Sequence, residues 1–389
     1  MGGTLAIRNA RILFQNDRMI DAEILIEYGL IADIGVDLKA DEEIDADGAT
    51  VLPGLIDLHV HGIEDESASD GSLVRFAEIE ARHGATTFYP TLFGPPDLII
   101  EQLRRHLSET DDLRMIPQVP GFRLESPYLH HTGAGTSKDI VPISEDVTEA
   151  IIDAGKGHIR IWDISPELPG AIELISGLSD RGIVCSLGHT YASIEQARSA
   201  VDAGARLVTH LFDTFELPAM TDPGVYPAGL VDYLLTEDKV VCEIIADGTH
   251  VHPILVEKAL RCKSIEGTAF VTDGNLGAGL PPGEYELPGG WGRVVINGSN
   301  DGVRIPDRGM ILAGSALTPI DLLRNAVRLF GRDLISASMI CSMVPARLMG
   351  LNKGEIAVGR DADLIVIDDD FRLRYTISAG CVVYTNSNI

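Results

Sequence analysis

Five short motifs carry side chains able to bind a divalent cation: HVHG (His59, His61), LES (Glu125), GHT (His189), THLF (His210) and VTDG (Asp273). Neutral imidazole and carboxylate are the ligand types favoured by borderline ions such as Zn²⁺ or Fe²⁺. Gathered in one place, these side chains would hold one or two divalent metal ions around a water molecule. A cation so placed makes hydroxide available near neutral pH and directs it at bonds that water alone leaves intact. A single histidine on a strand is most often structural. Acid and imidazole groups at five separate strand ends are harder to explain by packing, because an unpaired buried carboxylate is costly.

The elements that must position these groups are legible in the hydrophobic pattern. TLAIRNARILF and AEILIEYGLIADIGV alternate apolar and polar residues, as do DADLIVIDDDF and TISAGCVVYTN near the C-terminus. Period-two alternation predicts antiparallel β structure, here one small β-sandwich domain built from residues 1–53 and 351–389. Between them, residues 54–350 repeat an apolar run followed by a helical stretch, from LIDLHVHG to TAFVTDG. Unbroken apolar runs suit parallel strands covered on both faces. Eight such units predict an α/β fold, a (β/α)8 TIM barrel, with a Gly- and Pro-rich hairpin insertion near 275–310. On this layout the candidate ligands end strands 1, 3, 5, 6 and 8, the barrel face that carries active sites. His59 and His61, two apart on one strand, are expected to point the same way.

The other histidines divide. Of the pair in DGTHVHP, His250 is expected to face a substrate and His252 to lie at the surface or behind the site. His130 and His131 suit surface or substrate roles equally, while His83, His106 and His158 read as structural. The acidic run Glu64–Asp70 reads as a solvated loop, and Gly277-Ala278-Gly279 precedes a hairpin, not the helix a nucleotide loop needs. A net charge of −27 (31 basic against 58 acidic residues) repels nucleic acid and anionic membranes, so neither is an expected partner. Five scattered cysteines without a CxxC pair read as buried hydrophobes in a reducing compartment. With no membrane-spanning run and no signal-peptide pattern at MGGTLAIRNARILF, a cytoplasmic protein is expected.

PGLIDLHVHG, GATTFYPTL, RLESPYL, the SPE of Ser165–Glu167, GHTYAS, THLF, IADGTHVHP, VTDG and LAGSALTPIDLLRNAV together resemble the amidohydrolase superfamily. RLESPYL, SPE, IADGTHVHP and LAGSALT resemble, more narrowly, its N-acetylglucosamine-6-phosphate deacetylase family. The resemblance implies that Glu125, His189 and His210 are the metal ligands common to that family, and that His59 and His61 are an additional pair present in some members. It implies Asp273 as the acid–base carboxylate, and His250 as a contact to the substrate's polar groups. Leu312-Ala313-Gly314 would line the sugar pocket, with Ser126, Thr136, Ser137, Asp213, Thr214 and Thr221 at other substrate-contacting positions. It also implies a small-molecule N-acyl substrate and a homodimer.

The departures from the family pattern concern recognition. HLEGP reads Arg123-Leu124-Glu125-Ser126-Pro127, and the KGTH-type loop reads Ala134-Gly135-Thr136-Ser137. Asp213 replaces an asparagine in the HLxNA segment, and Thr221 stands where a phosphate-binding arginine is expected. The expected activity is therefore removal of an acyl group from an amino sugar or related N-acyl compound, not optimised for a 6-phosphate. A genuine 6-phosphate deacetylase with another phosphate site is one alternative. A cyclic-amide hydrolase or deaminase is another, opposed by the absence of a lysine from HIRIWDIS, strand 4. A non-enzymatic metal-binding protein is a third, opposed by Asp273.

Overall fold

The computed structural model describes residues 3–109, 113–220, 222–287 and 292–386. Eight strands form one parallel sheet in the order of the chain: Leu55–Val60, Ala85–Leu92, Phe122–Leu124, Ile159–Ile164, Val184–Leu187, Leu207–Val208, Val241–Ile245 and Thr268–Val271. We number them barrel strands 1 to 8. Nearly every residue in them is buried, as expected for strands covered on both faces. The helices Leu73–Arg82, Pro96–Glu109, Glu145–Gly155, Ala171–Asp180, Ile194–Ala203, Leu230–Thr236, Pro253–Lys263 and Pro319–Arg328 follow the strands in turn.

Closure between strands 1 and 8 runs through polar groups at the site end. The Asp57 carboxylate accepts from the Thr272 hydroxyl and from the amides of His59 and Thr272. Asp273 N–H donates to the His59 carbonyl, and the His61 and Gly62 amides both donate to the Gly274 carbonyl. Inside the barrel, Ile56, Leu58, Tyr89, Ile161, Leu207, Ile245, Ala269 and Val271 form one cluster with Val344, Ala346 and Met349. The helix Val344–Met349 thus packs into the barrel interior, while the preceding Leu334–Ser338 packs in the larger core cluster. Both are absent from the strand–helix pattern, because they follow the eighth unit and belong to none.

Strands from both termini join in one mixed sheet of eight strands. Leu5–Phe14 pairs with Arg18–Glu27, Glu42–Asp45 and Thr50–Pro53; Thr50–Pro53 then pairs with Leu364–Ile367, followed by Leu373–Ser378 and Cys381–Thr385. The outward residues alternate with a separate buried cluster that includes Ile7, Ile12, Ile24, Val51, Leu364 and Ile377. The insertion is a four-stranded antiparallel sheet of Gly283–Glu286, Arg293–Ile296, Val303–Ile305 and Ile311–Leu312. Two sequence expectations need correction. Cys262 and Cys381 are exposed, so only Cys185, Cys242 and Cys341 are buried hydrophobes. Within the acidic run, Glu66 is buried, accepting from Ser72 N–H and pairing with Arg75 at the start of the first helix. Among the described residues, no helix is long and apolar enough to cross a membrane.

Candidate metal centre and active-site cavity

Glu125, just past barrel strand 3, is the hub of the site. His189 Nε2 lies 2.9 Å and His210 Nε2 3.2 Å from its Oε1, and His61 Nε2 lies 3.0 Å from its Oε2. His59 Nε2 stands 3.5 Å from Glu125 Oε1, 3.2 Å from His61 Nε2 and 3.5 Å from Asp273 Oδ1. Two groups of donors, His59–His61–Asp273 and His59–Glu125–His210, each lie close enough to share one ion. Ligands about 2.0–2.1 Å from a tetrahedral ion stand about 3.3 Å from one another, so this spacing is that of a coordination polyhedron.

The tautomers agree. His61 Nδ1–H donates to the Thr91 carbonyl at 3.1 Å and His210 Nδ1–H to the Asp213 carbonyl at 3.4 Å. A carbonyl only accepts, so each ring keeps its proton on Nδ1 and has the Nε2 lone pair free. The charges agree as well. Burial and Arg123 both oppose a charged His59, yet Asp273 and Glu125 outweigh them and lift its pKa to about 10. Burial also opposes charge on His210; its hydrogen bond to Glu125 and the nearby Asp213 and Asp273 raise it to about 9. Burial would raise Glu125, but His59 and His61 hold it well below the usual carboxylate range. The cluster is therefore built around positive charge. A divalent cation supplies that charge to neutral rings, and the donor set fits one.

The ligand cluster forms the floor of a cavity of about 550 Å³. His61, Glu125, His189, His210, Asp213, Thr214, His250, Asp273, Leu312, Ala313 and Gly314, all expected from sequence, line it. His59 is fully buried beneath. His250 is aimed by Asp247: Nδ1 lies 2.6 Å from Asp247 Oδ2, and the amides of Thr249 and His250 donate to Asp247 Oδ1. His252 instead caps the helix Pro253–Lys263, accepting from Ile254 N–H. His131 Nε2 bonds the Thr214 carbonyl behind the wall.

Three expected contacts lie elsewhere. Ser126 is buried, with its hydroxyl donating to the Gly94 carbonyl and accepting from the Gly94 amide. Thr136 and Ser137 are exposed, and Thr136 closes a turn with Asp139. The wall at that point is Thr132–Gly135. Thr221 lies outside the described residues. Sequence reasoning missed Asn275, whose signal was its place two residues after Asp273, and Arg304, which had none. Arg304 stands between buried Val303 and Ile305 on the insertion and reaches the cavity wall from the opposite face. It is paired with Asp301, at 3.2 Å from both Nε and Nη2.

The cavity overlies a buried polar layer. Arg123 bonds Glu243 through Nη1 (2.6 Å) and Nη2 (3.0 Å), and Asp163 through Nη2 (3.0 Å) and Nε (3.3 Å). Burial would raise Glu243, but Arg123 and His59 outweigh it and bring the carboxyl to about 2.

Comparisons with known proteins agree with this geometry. The sequence profile of the amidohydrolase family matches residues 50–384. The chain is 30% identical to the N-acetylglucosamine-6-phosphate deacetylase of Lysinibacillus sphaericus, over 99% of each chain. It is 30% identical to the N-acetylgalactosamine-6-phosphate deacetylase of Escherichia coli O157:H7, over 95% of this chain and 97% of that one. The structure of the N-acetyl-D-glucosamine-6-phosphate deacetylase of Mycobacterium smegmatis, a mutant bound to N-acetyl-D-glucosamine-6-phosphate, superposes with a TM-score of 0.85 at 27% identity, covering 99% of this chain and all of that one. A barrel whose strand ends converge on a cation-binding cluster, matched over nearly its whole length, identifies a hydrolase of carbon–nitrogen bonds: the chain belongs to the amidohydrolase family, in its deacetylase branch.

Proposed function

We propose that the protein removes an acyl group, acetyl above all, from an amino sugar or a closely related N-acyl compound. The observation that carries this reading is the convergence of four imidazole Nε2 atoms on Glu125, with Asp273 3.5 Å from two of them, His59 and His61, at the floor of a half-open cavity. His59, His61, Glu125, His189 and His210, with Asp273, would hold one or two divalent ions, zinc or iron by donor type. Such an ion lowers the pKa of water toward neutrality and polarises an acyl carbonyl. Asp273 takes the proton from the attacking water and returns it to the departing nitrogen, which leaves as the amine. His250, braced by Asp247, holds a polar group of the substrate. Asp213 at the cavity wall disfavours a dianionic 6-phosphate and suits a hydroxyl or amine.

A second reading, a true 6-phosphate deacetylase, is favoured by one specific feature. Arg304 is the cation on the described part of the wall, and a phosphate could share it with Asp301. Side-by-side kinetics on N-acetyl amino sugars with and without the 6-phosphate separate the two. Higher kcat/KM for the unphosphorylated sugar supports the first. Preference for the phosphorylated sugar, reduced about 10- to 100-fold in Arg304→Gln, supports the second. Chelation should abolish turnover in either case and divalent metal restore it; full activity in metal-free protein would sink both. The reading includes a homodimer, supported by the exposed apolar residues Leu217, Met220, Val225 and Tyr226 beside the cavity segment. A monomeric mass in solution would remove that element alone.

A further inference from the structure

Nothing in the proposed reaction uses Arg123. Its side chain is fully buried, and its remaining hydrogen bonds run to the Leu58 carbonyl (3.0 Å) and the Thr209 hydroxyl (3.2 Å). Together with the bonds to Asp163 and Glu243, this engages every nitrogen of the guanidinium, so Arg123 has no capacity left for a substrate anion. One carboxylate would balance one guanidinium. Here two are buried, and a surplus buried carboxylate is costly unless another group uses it.

Glu243 has such a group in front of it. Its Oε2 lies 3.8 Å from His59 Nδ1. His59 is fully buried, and its Nδ1 has no hydrogen-bond partner. The other ring nitrogen, Nε2, sits in the ligand cluster. A ring that gives Nε2 to a cation carries its proton on Nδ1, and that N–H then needs an acceptor. Asp163, the other acid on Arg123, makes no such approach to His59 among the described contacts.

We propose that Glu243, clamped in place by Arg123, is the positioning residue for His59: when a cation takes Nε2, the Nδ1–H closes the 3.8 Å gap and donates to Glu243 Oε2, fixing the ring for metal binding. Arg123, Glu243 and His59 then form a connected chain from the arginine on barrel strand 3, through the glutamate on strand 7, to the histidine on strand 1. The inference rests on the metal-centre reading above. Glu243→Gln keeps the shape of the side chain and removes its charge. Zinc affinity, measured by competition with a chromophoric chelator, should fall about 10- to 100-fold. The visible spectrum of the cobalt-substituted protein should change with it. Asp163→Asn, which removes the other acid from Arg123, should leave zinc affinity within about threefold of wild type.

If Glu243 served only to neutralise Arg123, both variants would lower the unfolding midpoint of the metal-free protein, and neither would change zinc affinity or the cobalt spectrum. That result, or equal affinity losses in the two, overturns the proposal. Should Glu243→Gln not fold, Glu243→Asp keeps a carboxylate for Arg123 but shortens its reach to His59. Weaker zinc binding in that variant supports the role, and unchanged binding overturns it. A wild-type protein that binds no divalent metal would overturn the metal-centre reading itself, a distinct outcome.

Discussion

His189, His210 and Asp273 all take left-handed backbone angles, with φ of 49°, 23° and 45°. Residues other than glycine adopt such angles at a cost of about 1–3 kcal/mol, and they persist where the fold holds them for a purpose. Here each turns a side chain at a strand end onto Glu125 or His59 and His61. If Asp273 moves the proton, Asp273→Asn should lower kcat by about 10²–10⁴-fold while circular dichroism and thermal midpoint stay near wild type. A variant within a few-fold of wild type would exclude it. Glu80 presents a separate case. It is fully buried, and neither carboxylate oxygen has a hydrogen-bond partner. Burial, then the charges of Asp57 and Glu64, push its carboxyl well above the ordinary 4.5. A folded-state value above the unfolded one means that stability is fully present below about pH 4.5 and declines as pH rises toward the folded value. Glu80→Gln cannot ionise, so its stability relative to wild type should increase from pH 4 to pH 8. Urea midpoints at pH 4, 6 and 8 would test this, and a constant difference would refute it.

At the scale of elements, the insertion after barrel strand 8 returns to the site through Leu312–Ser315. Ser315 N–H donates to the Asp273 carbonyl at 2.7 Å, and its hydroxyl donates to the Thr272 carbonyl. Gly314 sits at φ 71°, where a Cβ would lie 2.6 Å from the Asp273 carbonyl oxygen. Alanine there meets both a strained angle and a clash with the backbone that carries the proposed proton carrier. Gly314→Ala should destabilise the protein by more than about 1 kcal/mol. It should also lower kcat/KM by up to about 100-fold, since small displacements of a reacting group have large effects. Thermal melting and steady-state kinetics would show both, and wild-type values in either would mean that this segment does not set the position of Asp273.

Across the whole molecule, the terminal sheet is fastened to the barrel by buried polar contacts. Lys353 Nζ bonds Asp363 Oδ1 at 2.9 Å and the Thr87 hydroxyl, on barrel strand 2, at 3.1 Å. Asp363 is buried, and its carbonyl accepts from the Gly54 amide where the chain enters the barrel. Asp363→Leu would strand the largely buried ammonium of Lys353 and should cost about 3 kcal/mol. Denaturant unfolding in a Trp291→Phe background, followed by Trp162 fluorescence from the barrel and by far-ultraviolet circular dichroism, should show both signals shifted to the same extent. A shift in one signal alone would show that sheet and barrel unfold separately.

Ligand chemistry was legible in the sequence because it depends on residue type. His-x-His, Glu, His, His and Asp are competent for a cation wherever they meet, and apolar runs alternating with helical stretches place them at strand ends. The eight-unit barrel and a small β-domain drawing on both termini were also readable, since the strand–helix and period-two patterns behind them are local. What opposes what across the barrel was not. Arg123, Asp163 and Glu243 come from three strands that only closure brings together, so their shared charge network has no sequence signature. Arg304 reaches the wall because the insertion folds back beside the loop after strand 7, where the Thr249 hydroxyl donates to the Asn300 carbonyl, and the cavity edge runs through Thr132–Gly135 while Thr136 turns away to Asp139. The helical stretch packed into the barrel interior likewise belongs to no repeat. Periodicity fixes which face of an element is buried. Only the closed structure fixes which buried groups touch, because that depends on the register of strands far apart in the chain.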